Sequence, residues 1–161
     1  MKLKVNDFIE VIGCSANDSK VKNILDKLKL QTPVLDKNRD EFRYLLKDIG
    51  VELVFVDESV IKNDEFADIG DGELIFETMF IDKFKAVELP FGIDVNDDYK
   101  AVVAKIGRIE DDTVVLFNRK RWFKNRNNVE FLISFEFDDT YKNIERMILS
   151  YSHGQIIRQK S

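Results

Sequence analysis

Histidine and cysteine are almost missing from this chain, which has His153 and Cys14 and no other residue of either type. One cysteine excludes an intrachain disulfide and fits a reducing compartment, so the expected location is cytoplasmic. One histidine leaves little material for a histidine-based metal site or an imidazole base with companions. His153 sits in Ser-His-Gly-Gln, which reads as an exposed turn. Prolines number two, and the seven glycines are scattered. No glycine-rich phosphate loop exists: Gly70 and Gly72 stand in Asp-Ile-Gly-Asp-Gly-Glu, whose acids repel phosphate. Long apolar runs are missing too. The opening MKLKVNDFIEVIG meets Asp7 before reaching signal-peptide length, and later apolar stretches are broken by charge, so neither a leader nor a membrane span is expected.

Apolar residues are plentiful: 44% of the 161 residues are hydrophobic, and 13 of them are Phe. A chain of this size buries roughly 70% of its unfolded surface, so one domain over 1–161 is expected. The net charge of −5 disfavours general nucleic-acid binding, and its distribution is lopsided. Residues 57–73 hold seven acids (Asp57, Glu58, Asp64, Glu65, Asp68, Asp71, Glu73) against Lys62, a local charge of −6 that leaves +1 for the rest of the chain. Residues 119–126, RKRWFKNR, hold five bases, and no acid occurs from 113 to 129.

Periodicity predicts helices at 18–29, where Val21, Ile24, Leu25 and Leu28 form one stripe behind a cap at Asn17, at 5–11 ending on Gly13, and at 97–106 between Asn96 and Gly107. Alternation predicts strands at 51–56, 73–81, 113–117, 129–137 and 144–151, the fourth with one buried and one mostly wet face. Residues 41–48 fit either a helix or a strand. The fold class is therefore α+β, an antiparallel sheet with helices on one side. A repeated Gly-x-x-x-Asn-Asp before a helix, at Gly13 and again at Gly92, suggests two helix-plus-meander halves, 5–85 and 90–152. Ordinary capping chemistry also produces that echo.

Candidate chemistry is sparse. Cys14 precedes a helix N-terminus, which would lower a thiol pKa, and His153, far away in sequence, makes a Cys-His pair conceivable, but a small half-buried thiol is the plainer reading. Asp94, Asn96 and Asp98 match the first ligands of a calcium loop, but Tyr99 stands where that loop needs Gly and Lys105 where it needs Glu. No catalytic residue, metal site or cofactor is predicted. Two contact surfaces are. Asp57, Glu58, Asp64, Glu65, Asp68, Asp71 and Glu73, with Phe66 and Ile69 as apolar anchors, suit a basic protein partner. Arg119, Lys120, Arg121, Lys124 and Arg126, interleaved with Trp122 and Phe123, suit nucleic acid if they face outward; the plainer reading is a strand of the second meander with Trp122 turned into the core and the bases projecting into water.

Two stretches, VIGCSANDSKVKNILDKLKL at 11–30 and LPFGIDVNDDYKAVVAKIG at 89–107, resemble segments of small bacterial immunity proteins of contact-dependent growth inhibition and related polymorphic toxin systems. The chain departs from that pattern in having no Pro soon after Gly107. The paired plan is also similar to that of proteinaceous β-lactamase inhibitors. The resemblance implies a non-catalytic protein that neutralises a cognate toxin, often a nuclease with a basic surface, and supplies no catalytic residues.

Overall fold

Nine strands and four helices can be traced in the computed structural model, which describes residues 2–34, 39–62 and 73–152. Strand β1 (Leu3–Lys4) leads directly into α1 (Val5–Ile9), whose Val5 and Phe8 are buried. This helix stops two residues earlier than the pattern predicts, because Val11 and Ile12 turn away from it into the core. Gly13 takes φ +80 just beyond, the left-handed conformation expected there. Helix α2 (Ser19–Lys27) buries Val21 and Leu25 and packs Ile24 and Leu28 at the core margin. Its cap is Asp18, one residue after the expected Asn17; Asp18 Oδ1 accepts the Lys20 N–H at 2.8 Å.

The next elements are β2 (Glu41–Leu46), β3 (Val51–Asp57), α3 (Glu58–Lys62), β4 (Leu74–Ile81) and β5 (Val87–Glu88). Residues 41–46 are thus a strand, and alternating Phe42 and Tyr44 pack against Phe55 and its neighbours. Helix α4 (Tyr99–Ile106) is capped by Asp98, whose Oδ1 accepts the Ala101 N–H at 2.8 Å, and ends on Gly107 at φ +95. It is followed by β6 (Asp112–Val114), β7 (Arg119–Arg126), β8 (Val129–Phe137) and β9 (Ile144–Tyr151). The predicted strand at 113–117 ends at Val114, and Val115–Phe117 form a 3-10 turn.

Seven strands make one antiparallel sheet in the order β2-β3-β4-β9-β8-β7-β6, while β1 and β5 form a short parallel pair. One meander, β2 to β4, follows α2; a second, β6 to β9, follows α4; and the two join where β4 pairs with β9. The protein is α+β, as the pattern of residues predicts. Val21 and Leu25 of α2 and Val102 of α4 share a single apolar core with Phe55, Phe76, Met79, Trp122, Ile133, Phe135 and Leu149 of the sheet. Among the described residues no helix is long and apolar enough to cross a membrane.

Strand β8 corrects the expectation of a wet face. Leu132, Ser134 and Glu136, which alternate with the core residues, are 3%, 3% and 8% exposed. Alternating polarity marks a half-buried strand only when the second face meets water. Here β7 and β9 flank β8, and long neighbours such as Arg119, paired with Glu136 at 2.6 Å, lie across that face.

Candidate protein-binding surfaces

The basic strand β7 is the candidate nucleic-acid surface; it turns Trp122 into the core and leaves its cations half-buried and paired. Trp122 is fully buried; its indole N–H donates to the Arg108 carbonyl at 3.0 Å, and its ring meets Phe135 edge-on. Each cation of the run has a partner within the chain. Arg119 pairs with Glu136. Arg121 holds Asp112 through both oxygens, with Nε at 2.6 Å from Oδ1. Lys120 donates to Thr113 Oγ1 at 3.0 Å, lies 3.4 Å from Glu110, and sits 5.4 Å from the ring centres of both Tyr99 and Tyr141. Lys124 lies over Phe91, and burial, then the nearby Arg108 charge, lower its pKa. Arg126 donates to the Ile9 and Ile12 carbonyls, satisfying the backbone groups left open where α1 ends. Its Nη2 also comes to 4.0 Å from Cys14 Sγ.

The acidic segment connects β3 to β4 in sequence, and its described parts are residues 57–62 and Glu73. Its two ends are tied together by the Glu58 N–H, which donates to the Glu73 carbonyl at 2.8 Å. Asp57, a member of the expected contact set, lies at the start of the excursion. It is fully buried, and its Oδ1 accepts the Ser59 N–H at 3.0 Å, so it shapes the start of the excursion. Glu58 is half-buried and Glu73 exposed. Asp64, Glu65, Phe66, Asp68, Ile69 and Asp71 lie outside the described residues, as does His153.

The residues that resemble a calcium loop cap α4. Asp94 Oδ1 accepts the Asn96 N–H at 2.8 Å, and Asp97 accepts the Asp94 N–H and pairs with Lys105 at 2.6 Å. Among the described residues no group of three or more His, Cys, Asp or Glu is placed to hold a metal.

One surface escaped the pattern of residues. Val115, Leu116 and Phe117, read as the end of a strand, stand in solvent at 81%, 82% and 51% exposure. Two signals point that way in retrospect: three large apolar residues in a row break the period of two, and Asn118 follows, a residue that tolerates the left-handed conformation it takes at φ +47.

The support beneath this turn is a polar network. Tyr99 donates to both oxygens of Glu110, at 2.6 and 3.0 Å, which with burial pushes its hydroxyl pKa up to about 12. Burial alone would raise Glu110, but the Tyr99 bond and the Lys120 charge outweigh it and hold the carboxyl below its usual range. Close by, Asp138 organises the turn between β8 and β9. It accepts from Asn143 Nδ2 at 2.9 Å, from the Thr140 hydroxyl and N–H, and from the Lys142 N–H. The Asn143 bond foremost, opposed by desolvation and joined by the Thr140 and Lys142 bonds, brings its pKa down from 3.8 to about 2. A depressed carboxylate stabilises the fold above its unfolded pKa and loses that contribution as pH falls through the folded one. Urea midpoints followed from pH 4 to pH 2 are therefore expected to fall more steeply in the native chain than in Asp138→Asn.

No family model matches the chain, and no curated protein matches it. Among solved structures it is similar to an extracellular protein containing an SCP domain from Bacillus anthracis str. Ames, with 12% identity and a TM-score of 0.47. That match covers 94% of this chain and 47% of the other, so the chain spans about half the length of the protein it matches.

Proposed function

We propose that this chain is a non-catalytic immunity protein that binds a cognate bacterial toxin, a nuclease with a basic surface, and neutralises it by covering its active site or an adjacent face. The observation that carries this reading is the concentration of charge. Seven acids against one base lie in residues 57–73, and the ends of that excursion are pinned together beside β3 and β4. A cluster of one sign steers a basic partner and competes with a phosphate backbone, so tight stoichiometric binding suffices and no bond need be made or broken. The alternative, nucleic-acid contact through Arg119, Lys120, Arg121, Lys124 and Arg126, gains nothing from a strand whose cations are already engaged within the chain.

The test uses the toxin domain that this reading expects to be encoded beside this gene. Lysine replacements at Asp64, Glu65, Asp68 and Asp71 are expected to slow association by about tenfold or more at low salt, a difference that shrinks as salt screens it. Protection of cells is expected to fall in parallel. Unchanged association and undiminished protection by the folded variant, or a wild-type chain that ignores the toxin, would overturn the reading.

A further inference from the structure

The two edges of the large sheet are finished differently. At one, β6 is three residues long, and beyond it Phe123 has its N–H accepted by Asp111 at 2.6 Å while its carbonyl accepts from Arg108 at 2.7 Å. The other edge is β2, six residues with no strand on their outer side. The Asp57 N–H donates to the Asp40 carbonyl at 2.8 Å, and these two residues continue the register in which Glu41 faces Val56. Asp40, and after it Phe42, Tyr44 and Leu46, therefore direct their backbone groups toward β3, while those of Glu41, Arg43 and Leu45 point away from it. Among the described residues no hydrogen bond engages these outward groups. A charge on such an edge ordinarily keeps other strands off, but Arg43 is neutralised by Glu41 at 2.8 Å and Glu52 at 2.6 Å. Leu45, on the same face, stands 59% exposed.

We propose that β2 pairs antiparallel with β2 of a second copy across a twofold axis, joining two sheets into one, with Tyr44 facing Tyr44 on the axis. In that register Arg43 and Leu45 of opposite copies face each other and exchange both backbone bonds, so the outward groups are used in matched pairs. The aliphatic stem of Arg43 then covers the exposed Leu45 of the other copy.

Two independent features fit the second copy in this register. Glu41 comes opposite Lys47 of the other copy, an exposed lysine in the turn after β2, which sets opposite charges together at both ends of the seam. Half-buried Phe42 comes opposite Leu46 of the other copy, beside a hollow of about 430 Å³ whose apolar lining is Leu28, Leu45, Leu46 and Ile49. The ring has a receiving surface, and the twofold provides it twice. Neighbouring registers lose both matches. Centring on Arg43 puts like charges face to face and Leu45 against Glu41, and centring on Phe42 carries Leu45 past the end of the other strand, to Arg39. The seam is short, so the expected Kd is about 10–100 μM. No residue of 57–73 takes part, and the pairing goes beyond the toxin-binding reading without resting on it.

Sedimentation equilibrium of the full chain from about 5 to 500 μM tests the pairing. The average mass is expected to climb from 18.8 kDa toward twice that value. Leu45→Pro removes an N–H that points away from β3 and leaves the β2–β3 ladder whole, so it should keep the native circular-dichroism spectrum and stay a single chain at every concentration. Lys47→Glu should weaken the dimer about tenfold, and adding Glu41→Lys should restore it, because the swap rebuilds the ion pair between copies. A single-chain mass at the highest concentration, a dimer that Leu45→Pro leaves intact, or a charge swap that restores nothing overturns the pairing. If Leu45→Pro does not fold, the loss on Lys47→Glu and its recovery decide alone. Toxin binding enters none of these readouts, so failure of either reading leaves the other standing.

Discussion

Trp122→Ala is expected to cost ~3–5 kcal/mol of unfolding free energy. The indole is fully buried in β7 between Phe135 and the other core side chains. Alanine would leave a cavity there that neighbouring strands, locked by their ladders, can only partly close. It would also remove the donor from the Arg108 carbonyl. Trp122→Phe separates the two effects, since it keeps most of the ring and loses the N–H, for about 1–3 kcal/mol. Equilibrium urea unfolding measures both. The chain has a single Trp, so native emission should be that of a dry indole and should shift to the red on unfolding. A loss below ~1 kcal/mol for the alanine variant would mean that the site collapses freely or that Trp122 reaches water.

Gly13→Ala should be nearly as damaging, at ~2–5 kcal/mol, for two reasons that add. The residue sits at φ +80, where an L side chain costs about 1–2 kcal/mol. A Cβ there would also stand 2.6 Å from Cδ2 of Tyr151 and 3.0 Å from Cγ1 of Val129, an overpacking typically worth another 1–3 kcal/mol. Gly107→Ala is the control. Gly107 has φ +95, but no atom lies within 4 Å of its notional Cβ, so it should lose only the conformational part. The difference between the two urea midpoints, at equal slope, reads the contact of α1's terminus with the end of β9. Equal losses would show that Tyr151 yields.

That glycine also shows what local pattern can reveal. A Gly after an apolar helical stripe announces left-handed backbone, and Gly13 and Gly107 both take it. The close approach of Tyr151, more than a hundred positions away, leaves no local trace. Strands β3, β4, β8 and β9 were legible for a similar reason, since alternation is a property of neighbours in sequence. The dry second face of β8 was not, because its burial depends on which strands flank it. The same distinction governs the candidate surfaces. RKRWFKNR reads as a basic strip, and only the fold reveals that Glu136, Glu110 and Asp112 arrive to neutralise it from β8, from the connection before β6 and from β6 itself. The Val115–Phe117 turn was hidden by its own composition: a run of apolar residues ordinarily means burial, and here it does not.

Every neighbouring pair in the large sheet joins strands consecutive along the chain, except one. The exception is the seam of β4 with β9, which brings Thr78 to Ser150 and so closes a loop of roughly 70 residues. The hairpins of either meander close short loops and can form independently of the other half. Their meeting must wait for a long-range encounter, and contacts of that kind dominate the folding times of sheet proteins. The seam is thus the kinetic bottleneck of assembly, and a chain stalled before it closes would present two unfinished sheets, each with a raw edge where the other belongs.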